Sequence, residues 1–543
     1  MELCMGQFAS YGSVKVWEIV PAFKGIGYGQ AIATWTVVTY YVSLMALTVF
    51  YFIVSFFPTL PWASCNHQTN CFDASTNLTG LNLSTVKPAA EIYFEDHVLK
   101  LHRGGLDDGI FAPDWKLTLC LIFSWIILFL VLVKGVKSAG KSAYFTALFP
   151  YIVIFILLGR GASLPGASKG MLFFITPQWE KLLEPTVWFK AVGQSFFSLS
   201  VGFGSIIMFS SYNSFRHNVY RDAAIISVVD TLTSFLAGLT IFAILGHLAD
   251  SLDVEVDDVL KGGGSGLAFI SYPDVLARFD FVPQLFAVLF FLMLFTLGIG
   301  SASALTGCII TIISDEFPNF PRYIITLVVC IVGFLLGLFY ITPQGQYILD
   351  LLDYFGGNFI IYILAFLEVA AVQWIYGMKN FLRDIEFMLG RKTGIYWRFC
   401  WSIFIPLLLI YIFIDTLANQ GSLSSGGYVF KGGALAFGIS LAVIAILFVP
   451  ALMIRSIVKN YNETPSFVHA FKKAFKATPK WAPKDPILLK EYEEFLEERR
   501  SLKTMAAEDY LGVKGNISQT PWFHFKRCLI EMASYIKELY WND

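Results

Sequence analysis

Asp230, in the stretch SVVDTLTSF, lies inside an apolar run (223–248) long enough to cross a bilayer. An ionised acid at that depth is costly unless a cation or a hydrogen-bond network answers it. A second run, 188–212, WFKAVGQSFFSLSVGFGSIIMFSSY, carries Ser198, Ser200, Gly202 and Gly204 near its middle. Each Gly costs about 1 kcal/mol relative to Ala in a helix interior, so this run is built to break. Unwound backbone is tolerated in hydrocarbon only where protein surrounds it or where it lines a wet cavity. Freed carbonyls there can hold a cation, and the N-terminus of the second half-helix favours an anion. The Ser198 hydroxyl, the carbonyls beside it and the Asp230 carboxylate form an all-oxygen donor set, which suits a hard monovalent cation. Two plainer readings stand beside this one: a small-residue packing face for 188–212, and an Asp230 satisfied by Thr231, Thr233 or Ser234.

A further small-residue stretch, LMLFTLGIGSASALTG at 292–307, reads as a second interruption, in which the Leu297 carbonyl, Gly300 and Ser301 form another oxygen site. Close helix packing explains the same composition equally well. Tyr40 and Tyr41 stand together inside a span, and a buried phenol needs a polar partner. A substrate carboxylate or a backbone carbonyl would serve. Asp353, near the outer end of its span, reads as solvent-facing, and Glu368 as a lock between helices.

These residues must be positioned by membrane helices. The chain has 543 residues, 56% hydrophobic and only 15% charged, with a net charge of −1, so no basic excess points to nucleic acid. Complete spans are predicted at about 28–56, 117–133, 144–158, 191–212, 223–248, 286–313, 323–340, 347–375, 400–417 and 434–454. Residues 1–10 read as the tail of a membrane helix, 11–27 as a cytosolic loop, 57–114 as an extracellular loop, 115–454 as nine further membrane helices and 455–543 as a cytosolic tail. Orientation follows from Lys134, Lys137 and Lys141, from Arg216 and Arg221, and from Lys379, Arg383, Arg391, Lys392 and Arg398, which alternation puts on one side with the C-terminal tail. The extracellular loop then holds Cys65, Cys71 and the sequons at Asn77 and Asn82, a setting for a disulfide and glycans. The tail segment PKWAPKDPILLKEYEEFLEERR predicts one amphipathic helix, solvated or on the membrane surface. No nucleophile, metal cluster or phosphate loop supports an enzyme.

The motifs MELCMGQF, FKGIGYG, YFTALFPY with GASLPGA, FFSLSVGFG followed by SSYN, FFLMLFTLG, SDEFP and VQWIYGMKNFLRDIEFMLG occur in this order over residues 1–460. On these the chain resembles the neurotransmitter:sodium symporter family (solute carrier family 6), and Asp230 with GIGS at 298–301 looks most like the insect nutrient amino acid transporters. The resemblance implies an all-α polytopic membrane protein with the inverted-repeat sodium symporter fold and broken helices. It implies a substrate pocket of Val37, Tyr41, Phe197, Ser200, Phe203, Ala302 and Leu305. It implies a first sodium site at Ser198 and Asp230, a second at Leu297, Gly300 and Ser301, and chloride positions at Gln194, Ser198 and Ser234. It further implies an outer gate at Asp353, an inner gate at Asp315 with Tyr212, and a Cys65–Cys71 disulfide. Asp230 stands where many members have Asn, so its fixed charge lowers the need for chloride. Gly300 brings no side-chain oxygen where others have Asp or Thr.

Against the family pattern the chain reads as truncated at its front, its first repeat incomplete, without the first helix and most of the second. That helix supplies sodium ligands and the Arg partners of Asp353 and Asp315 in the family. The implied function is sodium-coupled import of neutral L-amino acids across the plasma membrane by alternating access. A monoamine or GABA-type substrate and a transport-inactive form are the alternatives. Neither a seven-helix receptor nor a repeated pore module fits the number of spans and two interruptions.

Overall fold

In a computed structural model of the protein, all residues are described except 66–70, 74–86, 253, 260–265, 280–281, 419–422, 464–465 and 513–543. Asn77 and Asn82 lie outside the described residues. The fold is an all-α membrane protein; among the described residues nine helices are long and apolar enough to cross a bilayer. The tenth predicted span is the interrupted one.

The chain starts with α1 (Glu2–Ala9), and the long α2 (Gly25–Val54) follows a short connection. After the 57–114 segment come α3 (Trp115–Leu132), α4 (Val136–Ala162), α5 (Ala167–Ile175), α6 (Pro185–Ser198) and α7 (Ser205–Ser210). Then α8 (Val219–Leu252), α9 (Pro283–Glu316) and α10 (Arg322–Gly337) cross the bundle. The remaining spans are α11 (Gly345–Leu389), α12 (Ile395–Asp415) and α13 (Gly432–Glu463). Two tail helices, α14 (Phe467–Ala474) and α15 (Pro486–Gly512), end the described chain. The only sheets among the described residues are two-residue pairings.

The central element is α2. It packs against α3, α9 and α13, and its side chains from Ala33 to Val49 form much of the core. Close approach to α9 requires Gly298, where an added Cβ would sit 2.7 Å from the Met45 Cγ. Glu368 does lock helices: Gln30 Nε2 of α2 donates to Glu368 Oε2 at 2.5 Å, with the acid only 2% exposed.

Three expectations need correction. The stretch 292–307 is uninterrupted within α9, because its small residues serve packing and the helical ladder runs through them. The short run 144–158 is the middle of a helix extending from 136 to 162, since Pro150 and GRGA are accommodated in it. The tail is not a lone solvated helix: Trp481 and Tyr492 are buried against the rest of the protein. Cys65 and Cys71 form the disulfide.

The N-terminal end of α3 shows how a span is started. Asp114 caps it, accepting from the N–H of Lys116 at 2.9 Å and of Leu117 at 3.3 Å, and pairs with Lys100 Nζ at 2.6 Å. Burial pushes this carboxyl up, but the ammonium and the two amides outweigh it and hold it below its ordinary range. A depressed value means the stabilisation is complete above the usual carboxylate range and fades as pH falls through the folded value. Asp114→Ala is expected to cost ~1 kcal/mol, read as a lowered thermal midpoint at neutral pH in detergent. The difference from the parent should shrink in acid.

Candidate functional site

The site is built where α6 ends. Past Ser198 the helical ladder becomes irregular, with N–H bonds from Leu199 to the Ser195 carbonyl (3.1 Å), Ser200 to Phe197 (3.1 Å) and Val201 to Phe196 (2.9 Å). Ser200, Gly202 and Gly204 take φ of 55°, 80° and 76°, and the ladder restarts when Met208 N–H bonds the Gly204 carbonyl at 3.0 Å. Left-handed backbone at two of these three positions is what glycine permits. The Gly202 N–H is answered by Glu2 Oε1 at 2.7 Å, and the Phe203 carbonyl by Thr34 Oγ1 at 2.8 Å. The interruption is therefore held by the bundle rather than left loose.

Onto its upper edge comes the acid. Ser198 Oγ donates to Asp230 Oδ1, which joins the break to α8. The plainer reading, an Asp230 satisfied by its own helix, is not what the side chains do: Thr231 and Thr233 donate to the carbonyls of Ser227 and Val229. The negative end of the α6 dipole points at the same place. Hydroxyl, carboxylate and helix C-terminus together suit a hard cation. Of the three chloride candidates, Ser198 is the residue that meets Asp230, Gln194 lies one turn before Ser198 and Ser234 one turn after Asp230; Gln194 and Ser234 are exposed.

Beside the break is an aromatic cluster. The Tyr41 ring lies 6.3 Å from Phe197, which lies 6.3 Å edge-on from Phe203. Phe203 is 2% exposed and Phe197 38%, so one ring is enclosed by the bundle and the other is not. Val37, Ala302 and Leu305 are buried apolar residues, and the Tyr41 hydroxyl hydrogen-bonds with Ser301. Leu297, Gly300 and Ser301 share one face of α9, at the spacing of one helical turn. Their carbonyls belong to a regular helix, and Gly300's already accepts from Ser303 Oγ at 2.9 Å.

The gate positions have other partners than expected. Asp353 is not solvent-facing: Tyr40 OH donates to its Oδ1 at 2.6 Å. Asp315 meets the loop after α1, where the Gly12 N–H bonds its carboxylate and Lys15 Nζ its backbone carbonyl. Tyr212 instead accepts from Arg322 at 3.3 Å.

Sequence reasoning missed one cluster. Asp384, 1% exposed, accepts from Tyr376 OH, Trp481 Nε1 (3.0 Å), Tyr492 OH (2.7 Å) and Arg383 (3.3 Å). Trp and Tyr residues in an otherwise polar tail were the available signal.

The sodium:neurotransmitter symporter family model matches residues 1–460. The chain is 46% identical over 522 residues to the sodium-dependent nutrient amino acid transporter 1 of Drosophila pseudoobscura pseudoobscura, a match covering 92% of this chain and 79% of that protein. It is 45% identical over 517 residues to the protein of that name from Drosophila melanogaster, covering 91% and 80%. With a helix interrupted at mid-span, an acid seated on the interruption and this family's model matched across every membrane span, the chain belongs to the sodium:neurotransmitter symporter family.

Proposed function

We propose that the protein is a sodium-coupled symporter that imports neutral L-amino acids across the plasma membrane by alternating access, with its C-terminus in the cytosol. The observation that carries this reading is the Ser198–Asp230 contact at the break, which supports a first sodium site. Leu297, Gly300 and Ser301 on α9 are the second. Sodium here is cargo, and its binding energy is available to order the break.

The substrate's carboxylate meets the Tyr41 hydroxyl, its amino group the Ser200 stretch, and its side chain Val37, Ala302 and Leu305. These uncharged walls support an apolar substrate, and the relatives' names support an amino acid. Phe197 closes against Phe203 from outside. Asp353 and Asp315 with Tyr212 serve as outer and inner gates. Chloride at Gln194, Ser198 and Ser234 contributes little, since Asp230 already supplies negative charge. Glycans sit on Asn77 and Asn82.

The test is uptake of radiolabelled leucine or methionine in sodium and in choline medium, by this chain and by a form extended at its N-terminus. Sodium-dependent uptake by either supports the reading. Uptake of GABA or a monoamine instead overturns the substrate class, and silence of both forms overturns the reading. Silence of this chain alone would mark it as a transport-inactive form.

A further inference from the structure

The short helix α14 has no part in the site described so far. Its sequence, FVHAFKKA, continued by Phe475 and Lys476, divides its circumference into three sectors at the helical period. Ala470 and Ala474 form the first; both are buried, where α14 packs against α13. Phe467, Val468 and Phe471 form the second and are exposed. Their sector continues to Phe475, with ring centroids 6.3 Å apart from Phe467 to Phe471 and 4.7 Å from Phe471 to Phe475. The third sector is basic, with His469, Lys472, Lys473 and Lys476. Lys473 pairs with Glu463 at 2.6 Å, whereas Lys472 and Lys476 are exposed and make no ion pair among the described residues.

Neighbouring contacts fix the depth of this aromatic stripe. The apolar run of α13 ends at Ile454, before Arg455. An added Cβ at Gly25 would lie 2.4 Å from the Val449 Cα, so the chain entering α2 passes α13 within two turns of that end. Phe23, two residues earlier, meets the Phe475 ring at 6.0 Å. Phe475 therefore stands near the level at which α13 leaves the hydrocarbon, and Phe471 stacks on it. α13 also keeps an outward apolar face past Arg455, since Ile454, Val458 and Tyr461 are exposed along one side of it. An apolar stripe bordered by lysines, at the edge of a bilayer, is the pattern of a helix that lies among lipid headgroups, and the long lysine stems let the ammonium groups reach outward from it.

We propose that α14 is an interfacial lipid-binding helix: Phe467, Val468 and Phe471 insert at the edge of the hydrocarbon, and Lys472 and Lys476 bind the headgroups of anionic phospholipids. The inference does not depend on transport, and it uses the proposed orientation only to name the leaflet as the cytosolic one. Anionic lipid is the occupant that fits both sectors at once, because the apolar stripe needs acyl chains and the two lysines need negative charge beside it.

The test places the full chain in lipid nanodiscs with a bimane fluorophore on Val468→Cys, the signal from the parent protein's own cysteines being subtracted. The discs contain phosphatidylcholine and phosphatidylserine, and either one lipid or the other carries brominated acyl chains at the same mole fraction. Both brominated lipids should quench the fluorophore, and brominated phosphatidylserine should do so about fivefold more strongly, the enrichment that a single lysine at an anionic surface can hold. That excess should fade at high salt. In the charge-reversed form, Lys472→Glu with Lys476→Glu, the two lipids should quench alike. Absence of quenching by either lipid overturns the proposal and leaves the stripe to water or to a protein partner. Equal quenching before charge reversal overturns the headgroup contact, and an excess that survives charge reversal overturns the part given to the two lysines. If the charge-reversed form does not fold, Lys472→Gln with Lys476→Gln takes its place, and the same comparison decides.

Discussion

Asp230→Ala is expected to abolish sodium-driven uptake while leaving the protein folded and at the surface. The carboxylate receives Ser198 Oγ and stands at the negative end of α6, where its charge can balance a cation; the other acid at the break, Glu2, is engaged by the Gly202 N–H. Loss of a charged ligand in a partly desolvated site costs on the order of 3 kcal/mol, or ~100-fold in sodium affinity. Ser198→Ala removes a neutral donor and should cost about tenfold. Asp230→Asn is the informative intermediate. It keeps an oxygen for the cation and removes the fixed charge, so uptake should survive at high sodium but become dependent on chloride, read by replacing chloride with gluconate. Uptake by Asp230→Ala with an unchanged sodium dependence would sink the ion site.

How much of this was legible depends on where the deciding contacts lie. The break at 199–204 could be read because its cause is local: Ser and Gly in a row at mid-span destabilise a helix wherever they occur. Asp230 could be read because a charge in hydrocarbon demands a partner, and Ser198 was paired with it as a complementary oxygen donor on the broken helix. The stretch 292–307 misled for the same local reason. Its glycine and serines resemble those of the true break, but Gly298 is spent on the approach to Met45, and Ala302 is buried in the core. Composition does not separate a helix made to break from one made to touch. Asp353 was misplaced because depth along a span says nothing of which neighbour it meets, and Tyr40 comes from a helix more than 300 residues earlier. The Asp384 cluster left only an indirect signal, the Trp and Tyr of an otherwise polar tail, since its donors Trp481 and Tyr492 lie about a hundred residues downstream of the acid they meet.

That cluster gives the second large effect. Asp384→Ala should destabilise the protein by about 3–5 kcal/mol, the range for breaking a buried charge pair. The carboxylate is the acceptor on which Tyr376, Trp481, Tyr492 and Arg383 converge. Removing it leaves buried N–H and O–H groups without their acceptor, each carrying a desolvation cost. Asp384→Asn, which keeps an acceptor, should cost less, and Trp481→Phe, which keeps the ring contact with Phe8 at 5.1 Å but drops the N–H bond, less still. The measurement is the thermal midpoint in detergent. The consequence should extend past stability. Trp481 and Tyr492 belong to the tail, which also holds the loop after α1 through Thr478 Oγ1 to Glu18 at 2.6 Å and holds Arg216 through Glu491 at 3.0 Å. That same loop carries the Gly12 and Lys15 contacts to Asp315. A tail released from Asp384 loosens the loop that covers the inner gate position, so Asp384→Ala should also speed proteolysis of the tail. A variant that melts like the wild type, with its tail still protected, would mean that this buried acid holds nothing together.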